Sequence, residues 1–162
     1  MKQLGLKKPD FLPDFGQEKR KAVLDRFFTN LDHDTYNEIL ADNFTLQERR
    51  PGAKAYNKKD YINLALDTVK PSIPDFTWTH ATNGSKDKSD FSLVTVQATG
   101  RFTGKPFVLP GLPQLEPTGE KFLLAEERQM VKVEDGKIVK IEVLPQEGAG
   151  PRALYKALGG KA

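Results

Sequence analysis

Apolar residues first recur with a helical period. From Gln17, the positions Val23, Leu24, Phe27, Phe28 and Leu31 fall three and four apart, which turns one side of an α-helix inward. Asn30–Asp34 breaks that pattern, and Asp34 is placed to cap a second short helix carrying Tyr36, Ile39 and Leu40. Phe44–Glu48 alternates as a short strand and ends at Arg49-Arg50-Pro51-Gly52. Asn57 is a second cap, opening a third helix with Tyr61, Leu64, Leu66 and Val69 that closes at Pro71.

After Pro74 the period drops to two. Phe76, Trp78 and His80 share one strand face, Asn83–Asp90 reads as a turn, and Phe91–Phe102 as a long strand with Val94, Val96, Ala98 and Phe102 on one side. The Gly104–Pro113 loop is rich in Pro and Gly yet carries Phe107, Val108, Leu109 and Leu112. Loops are usually polar, so this one is either a flap folded onto the core or a lid over a ligand. Thr118–Val143 then predicts a hairpin, because Asp135-Gly136 between two alternating runs is a strong turn signal. Its first strand points Leu123, Ala125, Glu127, Gln129, Val131 and Val133 to one face, and its second does so with Val139, Ile141 and Val143. Glu127 and Gln129 sit in the middle of an apolar face. A buried polar group without a partner costs about 1–3 kcal/mol, so a cavity is the natural reading. Pro151–Leu158 predicts a short last helix with proline in its first turn.

Helices first and strands after is the α+β layout. The expected architecture is a strongly curved antiparallel sheet packed against three N-terminal helices, cone-shaped and enclosing a pocket. It divides into an arm at residues 1–16, in which Phe11, Leu12 and Phe15 have apolar surface to bury, a domain at 17–147 and a helical extension at 148–162.

Composition narrows the function classes. The chain has 162 residues with 25 basic and 22 acidic side chains; so even a balance, without a basic stripe, argues against nucleic acid. Having no cysteine, it offers neither disulfides nor a thiolate nucleophile or metal site. Its two histidines lie far apart, so no metal is expected, and Asp32-His33-Asp34 reads as cap and turn. Neither a signal peptide nor a membrane-spanning run is legible; the expectation is a soluble, cytoplasmic protein.

Several stretches resemble the nuclear transport factor 2-like superfamily: Ala41-Asp42-Asn43-Phe44-Thr45-Leu46-Gln47, Pro74-Asp75-Phe76, Gly100-Arg101-Phe102-Thr103-Gly104, and Pro117-Thr118-Gly119 with Glu134-Asp135-Gly136-Lys137-Ile138-Val139. The last pair is most similar to SnoaL-like polyketide cyclases, with ketosteroid isomerase as a related branch. The resemblance covers about residues 18–145 and implies acid–base chemistry without a cofactor. The isomerases keep a proton-shuttling aspartate at the end of the first strand, where Glu48 stands here. The cyclases keep their acid/base aspartate six residues before the aspartate of the hairpin turn, and that position is Gln129. Glutamine does not take up a proton at working pH, but its amide can bond a substrate oxygen, and Glu127 is the nearest ionisable residue on the same face.

Two functions follow as expectations. One is a small-molecule enzyme of isomerase, cyclase or hydratase type. Glu127 or Glu48 would be its base, Gln129 would polarise a carbonyl, and His80, whose imidazole can take up and give back a proton, would assist. Trp78, Phe102, Phe107, Leu109, Phe27 and Val131 would line its apolar ligand site. The other is a non-catalytic module of the same fold holding an apolar small molecule or a partner chain. Met130 and Leu124, set in an otherwise charged outward row, point to a homodimer.

Overall fold

The computed structural model describes residues 15–83 and 91–161; residues 1–14 of the expected arm, with Phe11 and Leu12, and Gly84–Asp90 of the expected turn lie outside them, whereas Phe15 and Gly16 of that arm open the first helix and Asn83 ends a strand. The first helix, α1, spans Phe15–Thr29 and sends Val23, Leu24, Phe27 and Phe28 into the core. The second, α2 (His33–Ile39), is capped by Asp32 and not by Asp34: Asp32 is extended, and its carboxylate accepts the Thr35 N–H at 2.7 Å. Asp34 falls inside the first turn, where a negative charge still complements the helix dipole.

The chain passes straight from α2 into β1 (Leu40–Glu48) and returns as the short β2 (Ala55–Asn57). Asn57 caps α3 (Lys58–Ile62), accepting the Asp60 N–H at 2.8 Å. That helix widens into a π-helical stretch over Asn63–Val69 and ends as α4 (Lys70–Ser72), one residue beyond Pro71. Among the described residues no helix is long and apolar enough to cross a membrane.

The remaining strands are β3 (Thr77–Asn83), β4 (Phe91–Arg101), β5 (Lys121–Leu123), β6 (Glu127–Glu134) and β7 (Lys137–Val143). They join β1 and β2 in one curved sheet of order β2-β1-β7-β6-β4-β3, with β5 beside β4. The α+β architecture is as expected, but the sheet is mixed. β1 runs parallel to β7, pairing Leu46 with Ile141 and Glu48 with Val143. Hairpin geometry fixes direction only between neighbours in sequence. β1 instead takes the free edge of β7, where its Leu46 meets the buried Ile141.

The β6–β7 turn has Asp135 at φ 52° and Gly136 at φ 77°, the pair of positive values that a two-residue hairpin needs to match strand twist. Two details of the expected parity are corrected. Lys132 pairs with Lys140 but Val133 with Ile138, so Val139 is the extra residue of a bulge and Ile138 is the one buried. At the other end, Leu124–Glu126 interrupts what reads as one strand. Phe122 therefore points inward, and Leu123 is 66% exposed.

Two clusters make the core. The first packs α1, α2 and α3 against the inner sheet face through Phe27, Phe28, Tyr36, Tyr61, Val94, Val96, Val131 and Ile141. The second gathers Phe76, Ala98, Phe102, Phe107, Leu109 and Phe122 beneath the last helix, α5 (Pro151–Ala157), with its Leu154 and Tyr155. Trp78 touches both. The Gly104–Pro113 loop is stitched to this second core: Phe107 and Leu115 exchange backbone hydrogen bonds, and the Tyr155 hydroxyl donates to the Pro113 carbonyl. A Cβ on Gly104 would lie 2.0 Å from the Pro71 carbonyl oxygen, so only glycine lets the loop leave so close to the helix end.

Candidate functional site

Strand register brings the polar candidates onto the inner face. His80 pairs with Val96, and Val96 pairs with Glu127. In the next row, Thr82, Val94, Gln129, Val143 and Glu48 follow one another across the sheet. Strands lie about 4.8 Å apart, so His80 and Glu127 start from backbones roughly 10 Å apart with a valine between them. This face is the one that α1 and α3 cover.

Glu127 is 8% exposed and Gln129 4%. The Gln129 amide Nε2 donates to Glu127 Oε1 at 2.8 Å. Burial pushes the Glu127 carboxyl above its ordinary range. The bond from Gln129 offsets that in part, and the negative charge of Glu48 adds to it. Glu127 in turn acts on Tyr61, a buried phenol of α3 whose pKa is driven up by burial first and by the Glu127 charge second. Glu48 itself sits at the rim, 29% exposed and ion-paired with Arg50.

His80 has a partner that the sequence did not offer. Its Nε2 lies 2.9 Å from Asp25 Oδ1. A carboxylate can only accept, so this nitrogen carries the proton. The imidazole also stacks on Phe28, with ring centres 5.3 Å apart. Asp25 and Phe28 are three positions apart on α1 and so share its inward side. Partial burial pushes the Asp25 carboxyl up, but hydrogen bonds from His80 and from Lys21, at 3.0 Å, outweigh it and hold it below the usual range. His80 keeps an 18% exposed side chain, so the imidazole is reachable from solvent.

The expected ligand-lining residues separate into two groups. Phe27 and Val131 belong to the first core, on the same face as Glu127, while Phe102, Phe107 and Leu109 belong to the second. Phe107 is wholly buried, between Phe102 and Tyr155. Phe107 and Leu109 are buried in the second core, where Tyr155 of α5 holds down the loop that carries them. Of the large apolar side chains in that loop, only Val108 is exposed, at 50%. With Pro106, Lys105, Asn63 and Asp67 it borders an open groove of about 350 Å³ that none of the candidate carboxyls lines. His33 is bound to Asp67 at 2.8 Å, away from the inner face.

Sequence reading missed Asp25, Tyr61 and Thr82 as neighbours of the site. Thr82 Oγ1 and Gln129 Oε1 are buried without a hydrogen-bond partner among the described residues. The face therefore combines a carboxyl held towards its neutral form, an amide with a spare acceptor, and a histidine fixed by a carboxylate. Such groups can take, hold and return a proton over an apolar floor.

No family sequence profile and no curated protein sequence matches the chain. Solved structures do. A protein described as a SnoaL-like polyketide cyclase from Jannaschia sp. CCS1 superposes with a TM-score of 0.65 at 15% identity, over 96% of this chain and 100% of that one. A phenazine biosynthesis-related protein from Pseudomonas aeruginosa gives 0.62 at 14%, over 91% and 90%. IdmH from Streptomyces antibioticus, described as a polyketide cyclase, gives 0.55 at 18%, over 80% and 91%. At these identities the likeness shows the fold: the chain shares the α+β architecture of these solved proteins, helices packed on one curved sheet.

Proposed function

We propose that the protein is a small-molecule enzyme of isomerase, cyclase or hydratase type, working on the inner sheet face by acid–base chemistry without a cofactor. The observation that carries this is Glu127. It is a buried carboxyl, set opposite Val96 on the next strand, whose one side-chain hydrogen bond among the described residues comes from an amide. A structural carboxylate is normally given a cation. An amide leaves its basicity high, as a proton carrier needs. Glu127 takes a proton from the carbon beside a carbonyl, the electron pair moves onto the oxygen, and the proton is returned at the same or another carbon. His80, held by Asp25, is the second proton carrier; burial keeps the Glu127 pKa raised, and the charge of Glu48 at the rim adds to it.

Deuterium uptake tests this. The protein is incubated with 2-tetralone, a neutral ketone with acidic α-hydrogens, in heavy water, and exchange is followed by NMR. The expected rate exceeds buffer and increases with pH as Glu127 ionises, levelling above its raised pKa. Exchange at the buffer rate throughout pH 6–9 would remove the enzymatic reading. The alternative, a binding module, draws on Gln129 standing where an ionisable group would be expected; it predicts retention of the ketone with no exchange.

The ligand class in either case is apolar. A homodimer through the outer face belongs to the same reading: Met130 pairs there with Leu93, and Leu123, opposite Thr99 towards the other end of β4, is exposed. Leu124, by contrast, packs on the second core. Sedimentation at tens of micromolar should return about twice the 18.1 kDa chain mass; a single-chain value would exclude the dimer.

A further inference from the structure

At β3 the sheet ends in an edge that no strand among the described residues covers. The ladder fixes which backbone groups face outward there. The Leu124 N–H donates to the Ala98 carbonyl at 3.0 Å. Even-numbered residues of β4 therefore turn their N–H and C=O groups towards β5 and β6, and odd-numbered ones turn theirs towards β3. β3 pairs without a register shift from Thr77 opposite Thr99 to Asn83 opposite Leu93. Thr77, Thr79 and Ala81 thus spend their backbone groups on β4, while Trp78, His80 and Thr82 point theirs away from the sheet. Among the described residues these outward groups have no backbone partner.

Open edges are normally blunted by shortness, proline, charge or a bulge. The opposite edge has such devices: β2 is 3 residues long and follows Pro51-Gly52 and Lys54. β3 is 7 residues long, and Thr77–Thr82 holds no proline, no acidic or basic lysine-type charge and no bulge. The path of α1 says what lies nearest to it. Asp25 and Phe28 meet His80, and Phe28 also meets Trp78, so α1 runs antiparallel to β3 and begins at its Asn83 end. Residues 1–14 lead into the helix from there. Extended, they reach about 46 Å, against roughly 23 Å for β3. Met1–Lys8 contains no proline and sets Leu4 and Leu6 on one parity, while Pro9 and Pro13 fall where the chain must turn. We infer that the β3 edge is a strand-addition site and that its occupant is this chain's own segment Met1–Lys8, laid parallel to β3. A tethered segment acts at an effective concentration of about millimolar, which a second copy in dilute solution does not match.

The test is amide hydrogen exchange of the full chain at pH 7, read residue by residue by NMR. The N–H groups of Thr79 and Ala81, bonded to β4, serve as the internal reference. Those of Trp78, His80 and Thr82 should exchange within about tenfold of them. Of any two consecutive N–H groups in a strand, one faces the neighbour, so Leu4→Pro combined with Gly5→Pro breaks the pairing in either register. In that variant the three edge amides should exchange at least ~10-fold faster, with Thr79 and Ala81 unchanged. Should Thr79 and Ala81 speed up as well, the variant has lost its fold, and the chain without residues 1–8 takes its place. Edge amides exchanging in the full chain as fast as in an unfolded one would overturn the covered edge. Protection that survives the arm variants would overturn the arm as its occupant, and protection that falls on dilution would transfer the edge to a second copy.

Discussion

Glu127→Gln should lower 2-tetralone exchange at least ~10²-fold, the usual contribution of a general base, while making the protein more stable at pH 8. Both effects come from one cause. The folded pKa of Glu127 is raised, first by burial, whereas in the unfolded chain it sits near ~4.3. Below the unfolded value both states carry the proton, and the residue costs the fold nothing. As pH rises through the interval up to the folded pKa, the unfolded chain releases its proton more readily, and stability is lost. A glutamine has no such loss. The melting-temperature gain should thus be absent near pH 4, grow as pH increases and then level. A gain equal at pH 4 and pH 8 would mean that packing, not ionisation, is responsible. Unchanged exchange would shift the base to Glu48.

The second large effect concerns the Gly104–Pro113 loop. Phe107→Ala should cost about 3–5 kcal/mol, as for other large buried aromatics, because the ring is fully enclosed by Phe102 and Tyr155. For a chain of this size that is roughly 2–4 °C of melting temperature per kcal/mol. Val108→Ala, one residue on and half exposed, should stay within about 0.5 kcal/mol. Ligand retention should follow the fold in both variants. The opposite pattern, little loss at Phe107 with weakened retention, would restore the loop as a lid.

Much of this fold can be read from local chemistry. The Asn57 cap, the Asp135-Gly136 turn and the alternation that buries Glu127 and Gln129 depend on residues a few positions apart, and the structure contains each as the sequence implies. What escaped reading has a common physical character. The Val139 bulge needs the facing strand to reveal which residue is extra. Asp25 looks like any solvent-facing helix residue until β3 delivers His80 to it. Phe107 could cover either a ligand or a core, and only the arrival of α5 decides. At Gln129 the sequence gives a donor and an acceptor together; the structure shows one N–H spent on Glu127 and the oxygen without a partner among the described residues.

The parallel seam between β1 and β7 also sets the order in which the molecule can assemble. Arg49 and Glu142, joined across that seam, are 93 positions apart, so chain entropy must be spent on a very long closure before any of its contacts form. Local pieces, α1 with α2 and the β6–β7 hairpin, need no such closure and can form early. β1 cannot find its partner until the hairpin exists. On the ribosome, which extends the chain N-terminus first, the apolar sides of α1 and α2 wait for a sheet not yet synthesised. High contact order of this kind slows folding.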